Sequence, residues 1–105
     1  MSELPLAGKV AWITGSSRGL GRVMAEELCQ MGARVAVHGT RENSPQTFGE
    51  GDTMHQLAAD IAAQCDGECM GVWGDVTQES EIQRVATELR NKWGQIDILV
   101  TCAGG

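Results

Sequence analysis

The sequence predicts an α/β fold: a parallel sheet doubly wound by helices on both faces. Three observations carry that expectation. Short apolar runs alternate with longer stretches of helical period, a glycine-rich turn joins the first run to the first helix, and the order along the chain is βαβαβαβ. Each helical stretch is long enough to cross from one strand to the next, which implies parallel strands and right-handed crossovers. The fourth strand would lie at an uncovered apolar edge, so the sheet is read as the first, incomplete portion of such a fold.

The elements follow in order. Residues 9–14 (Lys-Val-Ala-Trp-Ile-Thr) are short, apolar and ended by Gly15, as a buried strand is. Over 19–31, Leu20, Val23, Met24, Leu28 and Met31 recur at steps of three and four, the mark of an amphipathic helix, with Gly32 placed as its C-terminal cap. Residues 34–38 form the second strand. The polar stretch 40–52, with Pro45, Gly49 and Gly51, is a loop of unusual length. Thr53 and Gln56 then match a capping box, Leu57, Ala58, Ile61, Ala62 and Cys65 share one helical face, and Asp66-Gly67 closes that helix. Residues 69–73 make a third strand weakened by Gly71. Thr77 is the expected N-cap of a third helix whose buried stripe is Ile82, Val85, Ala86, Leu89 and Trp93, with Gly94 ending it. Residues 96–101 are the fourth strand.

Composition narrows the class. At 105 residues and 42% hydrophobic, the chain can build one modest core, so it is read as a single domain. A formal net charge of −6 argues against nucleic acid or an anionic membrane as partner. No apolar run approaches the roughly 20 residues of a membrane span. The N-terminus carries Glu3 and lacks the basic start and apolar stretch of a secretory signal, so a cytoplasmic location is expected. Cys29, Cys65, Cys69 and Cys102 contain no Cys-x-x-Cys pair, and His38 and His55 stand in no zinc-type spacing. The four are read as structural or neutral thiols, and no metal site is expected.

The chemistry concentrates in Thr14-Gly15-Ser16-Ser17-Arg18-Gly19-Leu20-Gly21. A dinucleotide's pyrophosphate must approach the backbone closely. Glycines permit positive φ and carry no Cβ to hold it off, while a helix N-terminus offers unpaired N–H groups and a positive dipole end. Ser16 and Ser17 could add hydroxyl donors. The turn lies between a strand and a helix, where such a motif has to lie, and no Gly-Lys-Ser/Thr ends it as a P-loop requires.

Together, Thr14-Gly15-x-x-x-Gly19-x-Gly21, Asp75-Val76 after the third strand and Ala103-Gly104 after the fourth resemble the short-chain dehydrogenase/reductase family. The resemblance covers essentially the whole chain and implies a Rossmann-like, NAD(P)-binding domain, of which residues 1–105 are the N-terminal part. It implies that Gly15, Ser17, Arg18, Gly19, Leu20 and Gly21 line the pyrophosphate and adenosine ribose. Asp75 would accept a hydrogen bond from the adenine amino group, Val76 would lie against the ring, and Ala103 and Gly104 would lie beside the cofactor ribose. The family usually has two asparagines before that Ala-Gly; here Thr101 and Cys102 stand instead, Cys102 leaving space for the cofactor.

Cofactor choice is read at the end of the second strand. NAD-preferring enzymes place an acidic residue there to bind the ribose hydroxyls, a charge that repels a 2′-phosphate. This sequence has Gly39, then Thr40 and Arg41, with no carboxylate before Glu42. Arg18 and Arg41 could converge on a 2′-phosphate, which planar guanidinium groups bind through charge-assisted hydrogen bonds. NADP(H) is therefore favoured over NAD(H).

The family's proton donor is a Tyr assisted by a Lys and a Ser, and this sequence contains no tyrosine. No catalytic residue is assigned within it: those groups would lie beyond Gly105, and the 105 residues alone are expected to be inactive. His38, a lone histidine at a strand end, is not read as catalytic. The leading expectation is the cofactor-binding portion of an NADP(H)-dependent oxidoreductase that interconverts a small-molecule alcohol and a carbonyl, a homo-oligomer when complete. The alternatives are a non-catalytic module that senses NADP(H) or pairs with another subunit, and a fragment that associates through its sheet edge.

Overall fold

The computed structural model describes residues 4–16, 19–39 and 53–102. Their elements are β1 (Val10–Thr14), α1 (Gly19–Gln30), β2 (Arg34–Gly39), α2 (Met54–Cys65), β3 (Cys69–Trp73), α3 (Glu79–Trp93) and β4 (Ile98–Thr101). The strands form one parallel sheet in the order β3-β2-β1-β4, the Rossmann-like arrangement expected. The long loop read at 40–52 falls outside the described residues.

β1 and β2 sit at the centre and are covered on both faces, which is why residues 10–13 and 35–37 are continuous apolar runs with no polar alternation. On one face, Ala11, Ile13, Val35 and Val37 pack with α1 and α2. On the other, Trp12, Ala36 and Val72 meet Val85 and Leu89 of α3. Full burial of each of these Val, Ile and Leu side chains contributes about 1.5–3 kcal/mol. Gly71, read as a weakness in β3, fits the contact with α2: a Cβ there would lie 2.4 Å from the Met54 carbonyl oxygen.

Several local expectations change. The buried face of α1 is Gly21, Ala25 and Cys29, a strip of small residues that lets the helix lie close to the sheet. Of the apolar residues that marked the helix, Leu20 (73% exposed), Val23 (49%) and Met31 face outward. The helical period holds, and of the five apolar residues that marked it Leu28 packs against this core. Thr53 caps α2 by accepting from the Gln56 amide, but Gln56 turns its own side chain to Asp60, so only half of the capping box forms. α3 is capped at Gln78 without a side-chain bond, because Thr77 is committed to Asp75. β4 begins two residues late, where the Asp97 carboxylate accepts the Val10 amide and starts the pairing with β1.

The cysteines also depart from the expectation. Cys29 and Cys65 form a disulfide joining the last turns of α1 and α2, with Cα atoms 6.0 Å apart; Cys69 and Cys102 are free. A sequence separation of 36 hides this pair, since only the crossover topology brings the two helix ends together. Among the described residues, no helix is long and apolar enough to cross a membrane, and no cluster of His, Cys, Asp or Glu is placed to hold a metal.

Candidate functional site

Parallel strands deliver all their carboxyl ends to one edge of the sheet. The register aligns Thr101, Thr14, His38 and Val72 in a row across β4, β1, β2 and β3. Gly15, Gly39, Asp75 and Cys102 follow these strand ends and so share that edge. Strand order reverses between β1 and β4, since β1 connects forward to β2 on one side and pairs with β4 on the other. A switch point of this kind opens a crevice between the two outgoing loops, the usual place for a ligand in a doubly wound sheet.

The β1–α1 turn is built from backbone. Gly15 and Gly19 have φ of +66° and +61°, in the left-handed region. Among the described residues, a Cβ at Gly19 would find no atom within 4 Å. At Gly21 a Cβ would lie 2.4 Å from the Gly15 carbonyl oxygen and 2.9 Å from Ser16 Cα, so the helix can cross its own turn only without a side chain. Ser16 is not available as a ligand donor. It is fully buried, donating its hydroxyl to the Ile13 carbonyl at 2.6 Å and accepting the His38 amide at 2.8 Å. Leu20 is exposed beside the turn.

The β3–α3 turn is built from side chains. Asp75 Oδ1 accepts both the amide (2.9 Å) and the hydroxyl (2.7 Å) of Thr77, and the Gln78 amide bonds the Asp75 carbonyl at 3.0 Å. The Thr77 hydroxyl, and then its amide, hold the Asp75 carboxyl below its ordinary pKa, so it is ionised near neutrality. Among the described residues both bonds fall on Oδ1, and Asp75 is exposed. Thr77 is a residue that the sequence reading misassigned; the Asp-x-Thr spacing is its signal, since short polar side chains close such turns.

At the third strand end, the Cys102 amide bonds the Thr14 carbonyl (3.1 Å) and hydroxyl (3.3 Å), fixing the exit of β4 beside the turn. Cys102 Sγ lies 3.8 Å from Met24 Sδ. The structure thus brings Gly15, Gly19, Leu20, Gly21, Asp75, Val76 and Cys102 to one edge. Ser17, Arg18, Thr40, Arg41, Ala103 and Gly104 lie outside the described residues.

A glycine turn at the switch point, an aspartate turn two strands away and a small residue after β4 form one pattern, and the sequence profile for short chain dehydrogenase matches residues 9–105. The chain belongs to this family. A sorbitol dehydrogenase of Cereibacter sphaeroides is 39% identical over 98 residues, a match covering 93% of this chain and 33% of that protein. The L-sorbose reductase of Gluconobacter frateurii, solved with NADPH and L-sorbose, superposes with a TM-score of 0.82 at 28% identity, covering 99% of this chain and 36% of that one. The RhlG/NADP active-site complex of Pseudomonas aeruginosa does so with a TM-score of 0.79 at 30% identity, covering 97% and 37%. This short-chain dehydrogenase sequence spans 29–39% of the length of the curated relatives compared with it.

Proposed function

We propose that these residues hold NADP(H) for an oxidoreductase that interconverts an alcohol and a carbonyl, with the proton donor supplied outside them. The β1–α1 turn carries this reading: left-handed glycines that carry no Cβ and a helix N-terminus at a sheet switch point suit a pyrophosphate. When bound, NADPH supplies a hydride. Gly15, Ser17, Arg18, Gly19, Leu20 and Gly21 would hold its pyrophosphate and adenosine ribose. Asp75 Oδ2 would accept from the adenine amino group, with Val76 against the ring. Cys102, Ala103 and Gly104 would flank the ribose at the other side of the crevice.

The preference for the 2′-phosphorylated cofactor rests on Gly39, which ends β2 with no carboxylate, and on Arg18, Thr40 and Arg41, whose side chains would supply donors to a 2′-phosphate. The NADP complexes among the similar structures support the same choice. The substrate is taken to be a small-molecule alcohol or carbonyl, the complete protein a cytoplasmic homo-oligomer. A reducing cytosol would open Cys29–Cys65 to two thiols. Titration of the chain with NADPH and NADH tests the reading. NADPH should bind at least tenfold more tightly, about 1.4 kcal/mol, and Arg41→Ala should weaken NADPH far more than NADH. Equal losses for both cofactors refute the NADP assignment, and absence of binding refutes the function.

A further inference from the structure

His38 is buried (1% exposed), on the α3 side of β2, and both of its ring nitrogens are engaged. Nδ1 lies 2.9 Å from Trp12 Nε1 and Nε2 lies 2.9 Å from the Gly74 carbonyl oxygen. An indole N–H can only donate and a carbonyl can only accept. The two partners therefore select one form of the ring: neutral, with its proton on Nε2, donating to Gly74. The Trp12 indole lies nearly parallel to the ring, 6° between planes, and fixes its orientation.

The backbone of the same residue engages the other turn. The His38 amide donates to Ser16 Oγ, and its carbonyl accepts the Ser16 amide at 3.0 Å. One step on, the Gly39 carbonyl accepts the Gly74 amide at 3.0 Å. Residue 38 thus stands between the phosphate-type turn and the Asp75 turn and is bonded to both. Neither partner of the ring is part of the glycine motif or of Asp75-Val76, so this contact is specific to a Trp at position 12 and a His at position 38.

Resting on the NADP(H) reading above, we propose that His38 is a positioning residue for the adenosine end of the cofactor: its Trp12-locked ring holds the Gly74 carbonyl and so sets the Asp75–Val76 turn where adenine is read. A proton added to Nδ1 would face the Trp12 N–H, donor against donor, and break the lock. Burial, the main influence, lowers the ring's pKa; the Gly74 carbonyl opposes this, Arg84 of α3 lowers it further and Glu81 raises it. These two α3 residues pair with each other at 3.3 Å, and Arg84 also donates to the Trp73 carbonyl. The sign follows. The unfolded ring takes up a proton near pH 6.5 and the folded ring only at lower pH. The ring is thus fully compatible with the fold above pH ~6.5, stability declines as pH falls below that value, and the adenosine site loosens as pH passes the folded pKa.

The test uses the full chain with 2′,5′-ADP, which carries the adenosine end alone. His38→Phe keeps a flat ring without its hydrogen bonds and should weaken 2′,5′-ADP about tenfold, at a temperature where circular dichroism shows the variant folded. His38→Gln places an amide oxygen and nitrogen about where the two ring nitrogens stand. It should bind within about twofold of the parent at pH 7.5, an estimate on the same basis. The ratio of parent to His38→Gln affinity, in which the ligand's own titration cancels, should fall as pH drops below the ordinary histidine range and through the lowered pKa of His38. Long-range ¹H–¹⁵N spectra should show the His38 proton on Nε2. Unchanged affinity in folded His38→Phe overturns the proposal, as does a pH-independent ratio, which remains measurable if His38→Phe does not fold. A parent chain that binds neither NADPH nor 2′,5′-ADP overturns instead the function on which the proposal rests.

Discussion

Between Thr14 and Gly21 the chain turns on its backbone, with Gly15 and Gly19 at positive φ and Gly21 pressed against the turn it has just left. Between Gly74 and Gln78 it turns on side chains, with Asp75 held by Thr77 and the Gly74 carbonyl held by His38. The first turn lacks side chains where a ligand has to come close to the main chain. The second presents one carboxylate, and hydrogen bonds aim it. A motif of the first kind is written in absences, which few residues other than glycine can satisfy. The second kind can be rebuilt from several polar residues, so its parts are harder to recognise.

The comparison breaks most sharply at Gly21. Gly21→Ala drives a methyl group into backbone that has no flexible side chain to move aside, and overpacking of this kind costs about 1–3 kcal/mol. Urea unfolding should show that loss, and NADPH affinity should fall by two orders of magnitude or more because α1 must shift away from the turn. Asp75→Asn should leave stability within about 0.5 kcal/mol, as expected for an exposed position. It should weaken 2′,5′-ADP roughly tenfold, since an amide can present its nitrogen where a carboxylate oxygen was. The smallest change belongs to Thr77→Val, with an expected loss of about threefold in 2′,5′-ADP affinity for one hydroxyl hydrogen bond removed. Its clearer readout is carboxyl-carbon NMR, in which Asp75 should titrate at higher pH than in the parent. The bond to Thr77 favours the ionised form, so its effect is present above the ordinary carboxylate pKa and disappears as pH falls through the lowered one. Activity or binding measured between pH 6 and 8 should not report this titration.

What the sequence made legible follows the same division. β1, β2 and the turn between β1 and α1 were readable because continuous apolar runs and fixed glycine spacing each have one structural solution. The face of α1 was misread because Leu20, Val23 and Met31 suggested an apolar stripe, while close helix–sheet contact was met by Gly21, Ala25 and Cys29. Thr77 was assigned to the helix cap because a threonine before a helix usually serves there; the nearer aspartate competes for its hydroxyl and wins. Ser16 was counted among the donors because its burial depends on β2, far along the chain. The role of His38 needs β1, β2 and the β3–α3 turn assembled together, and no local pattern carries that information.

Leu99 on β4 is 57% exposed, and with Val76, Ile82, Trp12, Thr14 and Thr101 it lines a cavity of about 350 Å³ between that strand and α3. On the opposite face of β4, Ile98 and Val100 pack against the core beneath α1 and α2.

While oxidised, the bond between Cys29 and Cys65 makes the intervening segment a covalent ring, closed at the helix ends remote from the glycine turn. Residues 40–52 belong to that ring. A peptide bond severed anywhere among them opens the ring without parting the molecule, so the halves of a nicked chain migrate as one species until a reductant is added. Two new chain ends, or an inserted sequence, could accordingly be introduced there with β1, β2 and β3 still tethered.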